Sequence, residues 1–212
     1  MIHPTFFRLS EEKRERILAA ARREFSEHVY EKSSINLILD EAVVPKGSFY
    51  QYFDDKSDLF YLCINSVYEK ILAARTRKHE DLLGAGMLRM KKLGYDRGYQ
   101  QFSEDLHSFL EETEFRLFDN LLQAPPAIRN YVQMSVASDL IAPVFCKELQ
   151  ADPDVRKDID YDYYAYLLSL TEVIPVDYAA RHGLGTQEAV RLGFEYMRSI
   201  YESIAASSIH AG

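Results

Sequence analysis

The spacing of apolar residues limits this chain to a helical fold. Almost every apolar stripe repeats at three or four residues, and no segment alternates with a period of two. The first pattern lines one face of an α-helix, whereas alternation is typical of a half-buried strand. We therefore predict an all-α protein of about nine helices, with a three-helix head over residues 1–56 and a helical bundle over residues 57–212.

The composition is that of a globular protein without a membrane span. Hydrophobic residues make up 47% of the 212 residues and charged residues 27%, which is ordinary for such proteins. No apolar run reaches the ~18 residues that a spanning helix needs. The first eight residues lack the basic segment and apolar core of a secretory signal. We therefore expect a cytoplasmic protein.

The sequence offers no support for catalysis or for a metal site. Cys63 and Cys146 lie far apart on apolar helical faces, which favours buried free thiols over a redox pair. The six histidines form no i,i+4 pair, and no His/Cys cluster has zinc spacing. No nucleophile–base–acid grouping and no phosphate-binding loop is present. We expect neither an enzyme nor a cofactor.

Capping residues set the predicted helix boundaries in the head. Ser10 suits the N-cap of a first helix, which buries Ile17, Leu18, Ala21 and Phe25. Ser33 or Ser34 caps a second helix with Ile35, Ile38 and Ala42 inward. Val43 and Val44 form a turn, and Pro45 begins a third helix because its missing N–H is not needed there. Ser57 is the expected cap of a long fourth helix, in which Phe60, Ile64, Val67, Ile71 and Ala74 repeat at helical spacing.

The predicted helices of the bundle follow from apolar spacing and from breaks at proline and glycine. They cover residues 99–112, 114–122, 128–150 with a bend at Pro143, 161–181 and 186–204. Asp152 to Asp160 reads as a polar loop, and Gly183 with Gly185 ends the helix before Thr186, the expected cap of the last. Boundaries between residues 82 and 98 stay open because four glycines punctuate that stretch.

The second and third helices have the properties of a helix-turn-helix. Ile35, Ile38 and Ala42 would brace Phe49 and Phe53, and Phe25 would close this small core. The outward residues have side chains suited to DNA: Lys46 for a guanine edge or a phosphate, Gln51 for an adenine edge, and tyrosine for phosphates or thymine methyls. The outward set is Lys46, Gly47, Ser48, Tyr50, Gln51 and Tyr52, with Ser34 and Lys56 at the flanks.

This order resembles the DNA-binding head of the tetracycline-repressor (TetR) family of bacterial regulators. The stretch from Arg16 to Leu62 carries the resemblance, about a quarter of the chain. It implies DNA contacts at Ser34, Lys46, Gly47, Ser48, Tyr50, Tyr52 and Lys56. Four positions depart from the family: Val29 and Pro45 replace a common Gly and a common Ser, and Leu39 and Val43 stand where the family usually has Ala and Gly. A β-branched residue in a left-handed turn is strained.

The distribution of charge is compatible with an operator-binding head. The net charge of the chain is −8, but residues 1–56 carry 9 Lys and Arg against 10 Asp and Glu. That leaves −1 on the head and −7 on the body. Affinity for DNA follows the number of phosphates contacted rather than the charge of the whole protein. The acidity therefore argues against non-specific coating of DNA and leaves selective binding open.

The last two predicted helices are the candidate dimer interface. A two-fold symmetric operator requires two recognition helices ~34–36 Å apart, and one chain supplies one. Two helices paired with their symmetry mates would form a four-helix interface. The alternative is that the same stripes form an intramolecular core. The interface residues predicted are Tyr163, Leu167, Leu170, Val190, Phe194, Met197, Tyr201 and Ile204.

Aromatic and Met side chains in the middle of the chain suggest an effector pocket, as the family resemblance implies. A mostly apolar cavity with a few polar groups suits a small apolar or amphipathic molecule. Packing is the alternative reading of each of these side chains. The pocket residues predicted are Tyr99, Phe102, Leu106, Phe109, Phe115, Tyr131 and Met134.

The sequence thus favours a homodimeric DNA-binding regulator, a repressor released from a palindromic operator by its effector. Two alternatives stay open. One is a TetR-like protein that has lost DNA binding and acts through protein contacts, which Leu39 and Val43 keep in view. The other is an all-α carrier or enzyme that uses the central cavity.

Overall fold

A computed structural model describes residues 1–77, 109–171 and 174–206 of the chain. These residues form helices joined by short loops, with no strand beyond isolated bridges, which confirms the predicted all-α class. None of the helices within the described ranges is both long enough and apolar enough to cross a membrane.

The described helices fall into two groups along the chain. The first group is α1 (Pro4–Phe7), α2 (Glu11–Glu27), α3 (Ile35–Glu41), a 3₁₀ turn (Lys46–Ser48), α4 (Phe49–Tyr52) and α5 (Lys56–Arg77). The second group is α6 (Glu112–Gln123), α7 (Pro126–Val136), a π segment (Ala137–Ile141), α8 (Ala142–Ala151), α9 (Tyr161–Leu170), α10 (Ile174–His182) and α11 (Thr186–Ile204). Helix α1 was not predicted.

The chain divides into two compact units. The first unit comprises residues 1–67 and 110–132, so it holds the head together with α6 and the start of α7. The second comprises residues 68–109 and 133–212. The functional boundary predicted after residue 56 falls at the first residue of α5, whereas the compact unit around the head extends well beyond it.

The cap and buried face of α2 confirm the prediction for the first long helix. Ser10 Oγ accepts a hydrogen bond from the amide of Lys13 at 3.3 Å, and Glu11 and Glu12 occupy the first turn. Both features satisfy or complement the free N–H groups of a helix start. Ile17, Ala21 and Phe25 are fully buried, while Leu18 is half-buried.

A buried asparagine joins the end of α2 to α6. The side chain of Asn120 accepts a hydrogen bond from the amide of Tyr30 at 2.7 Å and donates to the carbonyls of Phe25 at 2.7 Å and His28 at 3.0 Å. The carbonyls at a helix C-terminus lack partners within the helix. The side-chain amide of Asn120, a residue that is only 4% exposed, is the partner of two of these carbonyls. The loop from α2 to α3 is therefore fixed from outside the head.

The helix predicted over 128–150 is continuous but irregular. It begins at Pro126 and runs through α7, the π segment and α8 to Ala151. The amide of Ala142 bonds to the carbonyl of Ala137, five residues back. Pro143 has no N–H to continue the α-helical pattern, so the irregularity lies immediately before it rather than at it.

The single helix predicted over 161–181 is wrong. Helix α9 ends at Leu170, where the Thr171 hydroxyl donates to the carbonyl of Leu168, and α10 starts at Ile174. Pro175 explains the restart, because proline is favoured in the first turn of a helix and has no N–H to continue a helix from Thr171. Helix α11 passes close to this break at Gly193, where a Cβ would lie 2.5 Å from the carbonyl oxygen of Thr171.

Two predicted caps differ from the observed ones. Gly185 precedes α11 and Thr186 is its first residue. Asp55 accepts a hydrogen bond from the amide of Ser57 at 2.7 Å, so it does the capping expected of Ser57. At the start of α6, Glu111 forms a capping box with Glu114. The helix predicted over residues 99–112 therefore does not include Glu112, which is the first residue of α6.

Replacing Asn120 by Ala tests how far the first unit depends on this amide. The change leaves one amide and two carbonyls without their partner in a buried site. We expect the free energy of unfolding to fall by about 2–4 kcal/mol, because unsatisfied buried groups bear the full cost of desolvation. Urea unfolding measures it. The matched control is Asn130→Ala on the exposed side of α7, and equal losses for the two variants would contradict this role.

Candidate nucleic-acid interface

A short helix pair around a tight turn forms the candidate interface. Helix α3 ends at Glu41, Ala42 follows in helical geometry, and Val43 adopts a left-handed conformation with φ of 54°. The amide of Val44 then bonds back to the carbonyl of Leu39 at 2.9 Å. After Pro45, residues Lys46–Tyr52 form one helical stretch, the 3₁₀ turn followed by α4, which we call the recognition segment.

Buried residues brace the recognition segment much as expected. Ile38, Ala42, Phe49 and Phe53 are all 1% exposed or less. Leu39 is also buried, at 1%, whereas the predicted bracing residue Ile35 is half-buried. The larger Leu39 side chain is thus accommodated in the core.

The residue that closes this small core is Phe6 rather than Phe25. The Phe6 ring lies 4.9 Å from that of Phe53, centroid to centroid. Phe25 packs against Tyr30 and Phe60, at 6.3 and 4.9 Å. The prediction missed this because α1 is only four residues long, too short to give a periodic signal.

The outward face of the recognition segment carries most of the predicted DNA contacts. Lys46, Gly47, Tyr50 and Gln51 are exposed, and Ser48 is half-buried. Tyr50 is 69% exposed although its ring stands edge-on to Phe49, 5.2 Å away. A Cβ added at Gly47 would meet nothing within 4 Å. This face is open to a partner.

Tyr52 is placed differently from the prediction. Its side chain is 6% exposed, and its hydroxyl accepts a hydrogen bond from Nζ of Lys13 at 3.3 Å. Four residues of α4 make little more than one turn, so residues 49, 52 and 53 share its inner face. The outward orientation expected for the Tyr52 ring is therefore wrong.

Polar contacts fix both flanks of the recognition segment. The ammonium of Lys56 donates to the carbonyls of Tyr30 and Ser33, the latter at 3.0 Å, and stands 4.5 Å from the Tyr30 ring centroid. Burial lowers the pKa of Lys56 and raises that of Tyr30 to about 12. Ser34 caps α3 through its hydroxyl, and its amide donates to Glu24 at 2.8 Å. Both predicted contacts thus already have structural partners.

The loop after the recognition segment converges on one buried carboxylate. Asp58 accepts hydrogen bonds from the amides of Asp54 and Asp55, the hydroxyl of Tyr131 at 2.9 Å and the Met1 ammonium at 2.7 Å. Burial opposes its ionisation, but these donors outweigh burial and lower the pKa of Asp58. Burial, followed by the bond to Asp58, raises the pKa of Tyr131. Asp58 thereby links α7 to the end of the recognition segment.

The predicted pocket residues are spread over both units. Tyr99, Phe102 and Leu106 lie outside the described residues. In the first unit Phe115 is half-buried and Tyr131 is exposed; in the second unit Phe109 is half-buried and Met134 is exposed. The pocket itself stays a prediction.

The predicted interface residues have unequal exposure. Tyr163 is exposed, and Leu167, Leu170 and Phe194 are half-buried. Met197, Tyr201 and Ile204 are buried within the chain, and the Tyr201 hydroxyl donates to Asp152 at 2.6 Å. The side chain of Val190 lies outside the described part of the structure.

Comparison with known proteins points to one family. Residues 17–61 match the family model of bacterial regulatory proteins of the tetR family. The HTH-type transcriptional regulator HbdR of Aromatoleum sp. (strain CIB) is 42% identical over 62 residues. That match spans 29% of this chain and 27% of HbdR, so the likeness lies in about a quarter of each protein. Over residues 17–61, the chain resembles the TetR family of bacterial regulators.

Two solved TetR-family structures resemble the chain along most of its length. A TetR family transcriptional regulator from Chloroflexus aurantiacus J-10-fl is 24% identical, with 97% of this chain and 99% of that one covered and a TM-score of 0.40. The regulatory protein TetR from Rhodobacter sphaeroides is 22% identical, with 90% and 97% covered and a TM-score of 0.44.

The head contains polar residues that the sequence did not reveal as important. Asn120 and Asp58 act through backbone groups distant in sequence, so no local motif marks them. Asp40 forms an ion pair with Lys46, with 3.2 Å between Oδ2 and Nζ. Asp40 and Lys46 are six residues apart, whereas side chains that interact on one helix are three or four residues apart. The predicted turn between the two residues was the signal that could have placed them near each other.

The backbone of the head is strained at Val43. A non-glycine residue in the left-handed region costs about 1–2 kcal/mol, and Val43 is 78% exposed, so its side chain recovers little by burial. We expect Val43→Gly to raise the free energy of unfolding by about 0.5–1 kcal/mol, since the greater freedom of glycine in the unfolded chain offsets part of the relief. Urea unfolding measures the change.

The control for this prediction is Val44→Gly. Val44 is 5% exposed and has no positive φ, so the same substitution there should destabilise the protein. A loss of stability on Val43→Gly comparable to that control would show that the turn is not strained.

Proposed function

We propose that the protein is a homodimeric transcriptional regulator that binds a palindromic DNA operator and is released from it by a small apolar or amphipathic effector. The observation that carries the DNA-binding part is the recognition segment. It is braced by fully buried residues and presents exposed Lys46, Tyr50 and Gln51 side chains. This segment lies within residues 17–61, which match the family model of bacterial regulatory proteins of the tetR family. The cytoplasm is its expected location.

Retention of the helix pair favours DNA binding over a head that has lost it. Leu39 and Val43 were the residues that kept open the alternative of a head without DNA binding. Leu39 is buried in the core, and the turn at Val43 still brings the Val44 amide to the Leu39 carbonyl. The helix-turn-helix is therefore intact. Leu39 and Val43 affect the stability of the head and leave the exposed face of the recognition segment unchanged.

Exposed aromatic residues support a homodimer. Helices α9, α10 and α11 and the short link before α11 carry several exposed large apolar side chains. These are Tyr163, Tyr166, Ile174, Tyr178, Leu184, which lies in the link, and Tyr196. Large aromatic side chains are enriched at protein interfaces, where the ring is buried and the hydroxyl finds a partner. These residues, rather than the buried Met197, Tyr201 and Ile204, are the interface candidates that remain accessible.

The Tyr131–Asp58 hydrogen bond offers a route from an effector to the head. Tyr131 is a predicted pocket residue, and Asp58 binds the amides that directly follow the recognition segment. An effector that takes over the Tyr131 hydroxyl would remove one of the donors that keep Asp58 ionised. A ligand shifts an equilibrium only through a difference in affinity between two states, and this contact is where such a difference would arise.

Tyr131→Phe tests that link without an effector. The variant keeps the ring and removes the hydroxyl, so the pKa of Asp58 should move up towards its ordinary value. Stability from a lowered pKa is present above the unfolded pKa and is lost as pH falls through the folded pKa. Wild type should be more stable by about 1 kcal/mol at pH 7, and the gap should shrink towards pH 3.

Urea unfolding from pH 3 to pH 7 gives this measurement, with Tyr50→Phe as the control because the Tyr50 side chain is 69% exposed. A gap between wild type and Tyr131→Phe that is constant across the pH range would mean that the hydroxyl does not act through Asp58.

The proposed function is tested by fluorescence anisotropy with DNA tiled from upstream of the gene, at two salt concentrations. Tight binding to particular tiles that weakens with salt is expected. Sedimentation of the complex should give two chains per bound duplex. Binding to no tile, together with a monomeric protein, would refute the proposal.

Tyr50→Ala should weaken operator binding by about 1–3 kcal/mol and leave the fold intact. The exposed Tyr50 ring makes little contribution to the core, so unfolding should be nearly unchanged. Phe7→Ala removes another exposed aromatic ring of the head, outside the recognition segment, and should bind the operator like wild type. Equal affinities for wild type and Tyr50→Ala would exclude Tyr50 as a DNA contact.

A further inference from the structure

Lys46 is held by an acidic residue of the preceding helix. Asp40 lies near the end of α3 and Lys46 is the first residue of the recognition segment, on opposite sides of the turn. Their charged atoms are 3.2 Å apart, and both side chains are 58% exposed. The pair therefore lies on the surface, at the point where the segment would meet DNA.

The ion pair contributes little to folding. Exposed pairs gain modest Coulomb energy in water and lose side-chain freedom, so many of them have no measurable effect on stability. A carboxylate at a phosphate-binding surface also repels the phosphates. Asp40 should consequently reduce affinity for DNA in general.

The chemistry of the ammonium group gives this repulsion a function. A lysine ammonium has three donors, and the ion pair holds this ammonium 3.2 Å from Oδ2 of Asp40. The pair restricts where the ammonium can reach, and its donors are available to a guanine O6 or N7. An untethered lysine would instead reach any nearby phosphate, which is a contact without sequence information.

We propose that Asp40 is a specificity-determining residue that positions Lys46 for a base edge and opposes its binding to non-operator phosphates. The inference rests on the proposed DNA-binding function and deepens it. Asp40 acts through Lys46, so it is a positioning residue and need not touch DNA.

The neighbouring residue provides a matched control. Glu41, also on α3, forms an ion pair with Arg23 of α2 at 2.7 Å. Glu41→Gln removes the same charge one residue away, without touching Lys46. A general effect of charge would appear in both variants, whereas positioning of Lys46 would appear only in Asp40→Asn.

The test compares binding constants for the operator and for a non-operator duplex of equal length, over several salt concentrations. Asp40→Asn should tighten non-operator binding about three- to tenfold and change operator binding less than about twofold. Its salt dependence on non-operator DNA should steepen by about 0.9, the value for one additional phosphate. Asp40→Glu should keep the wild-type ratio, and urea unfolding of each variant checks the fold.

A double-mutant cycle ties the effect to Lys46. In a Lys46→Gln background, Asp40→Asn should change the ratio of operator to non-operator affinity less than about twofold. An unchanged ratio in Asp40→Asn alone, an equal change in Glu41→Gln, or the same change in the Lys46→Gln background would overturn the inference. Selective wild-type binding with any of these results overturns only the role of Asp40, whereas absence of DNA binding by wild type overturns the proposed function as well.

Discussion

The helix-turn-helix depends on buried polar side chains that complete the backbone hydrogen bonds of its loops. Asn120 bonds to two carbonyls and one amide at the end of α2. Glu24 accepts from the Ser34 amide, and Lys56 donates to the Tyr30 and Ser33 carbonyls. Unpaired backbone groups are costly when buried, so the short α2–α3 connection has one favourable geometry. The geometry of this connection fixes the position of the recognition segment.

The same contacts restrict what the cations of the head contribute to DNA binding. Lys56 already donates to two carbonyls and Lys13 donates to Tyr52, and Lys46 is ion-paired with Asp40. Electrostatic affinity for DNA grows with the number of phosphates neutralised, so a near-neutral head with engaged lysines binds non-specific DNA weakly. Under the proposed function, such a head would depend on base-edge contacts and on dimer symmetry for its affinity. The net charge of −8 and a DNA-binding function are therefore compatible.

Sequence patterns predicted the features that arise from local rules. The α2 cap at Ser10, the Ser34 cap, the turn at Val43 and the outward Tyr50 each follow from a spacing or from a residue type, and the family resemblance set the register. Patterns failed where a contact between distant residues decided the outcome. Tyr52 is inward because α4 is so short, and Phe6 replaces Phe25 in the core because α1 folds back on Phe53. The division between α9 and α10 follows from Pro175, a local signal that apolar periodicity alone overlooked.

The strain at Val43 and the tethering at Lys46 lie on either end of one short turn, and they have a common consequence. A left-handed residue fixes the direction in which the chain leaves α3, and Asp40 fixes the first cation that follows. Strained conformations persist only where the surrounding structure determines them, and here buried Ala42, Val44 and Phe49 do so. Glycine at 43 would relax the turn and widen the range of approach angles for the recognition segment. The less stable residue thus favours a single docking geometry, in which a tethered Lys46 discriminates between base edges and phosphates.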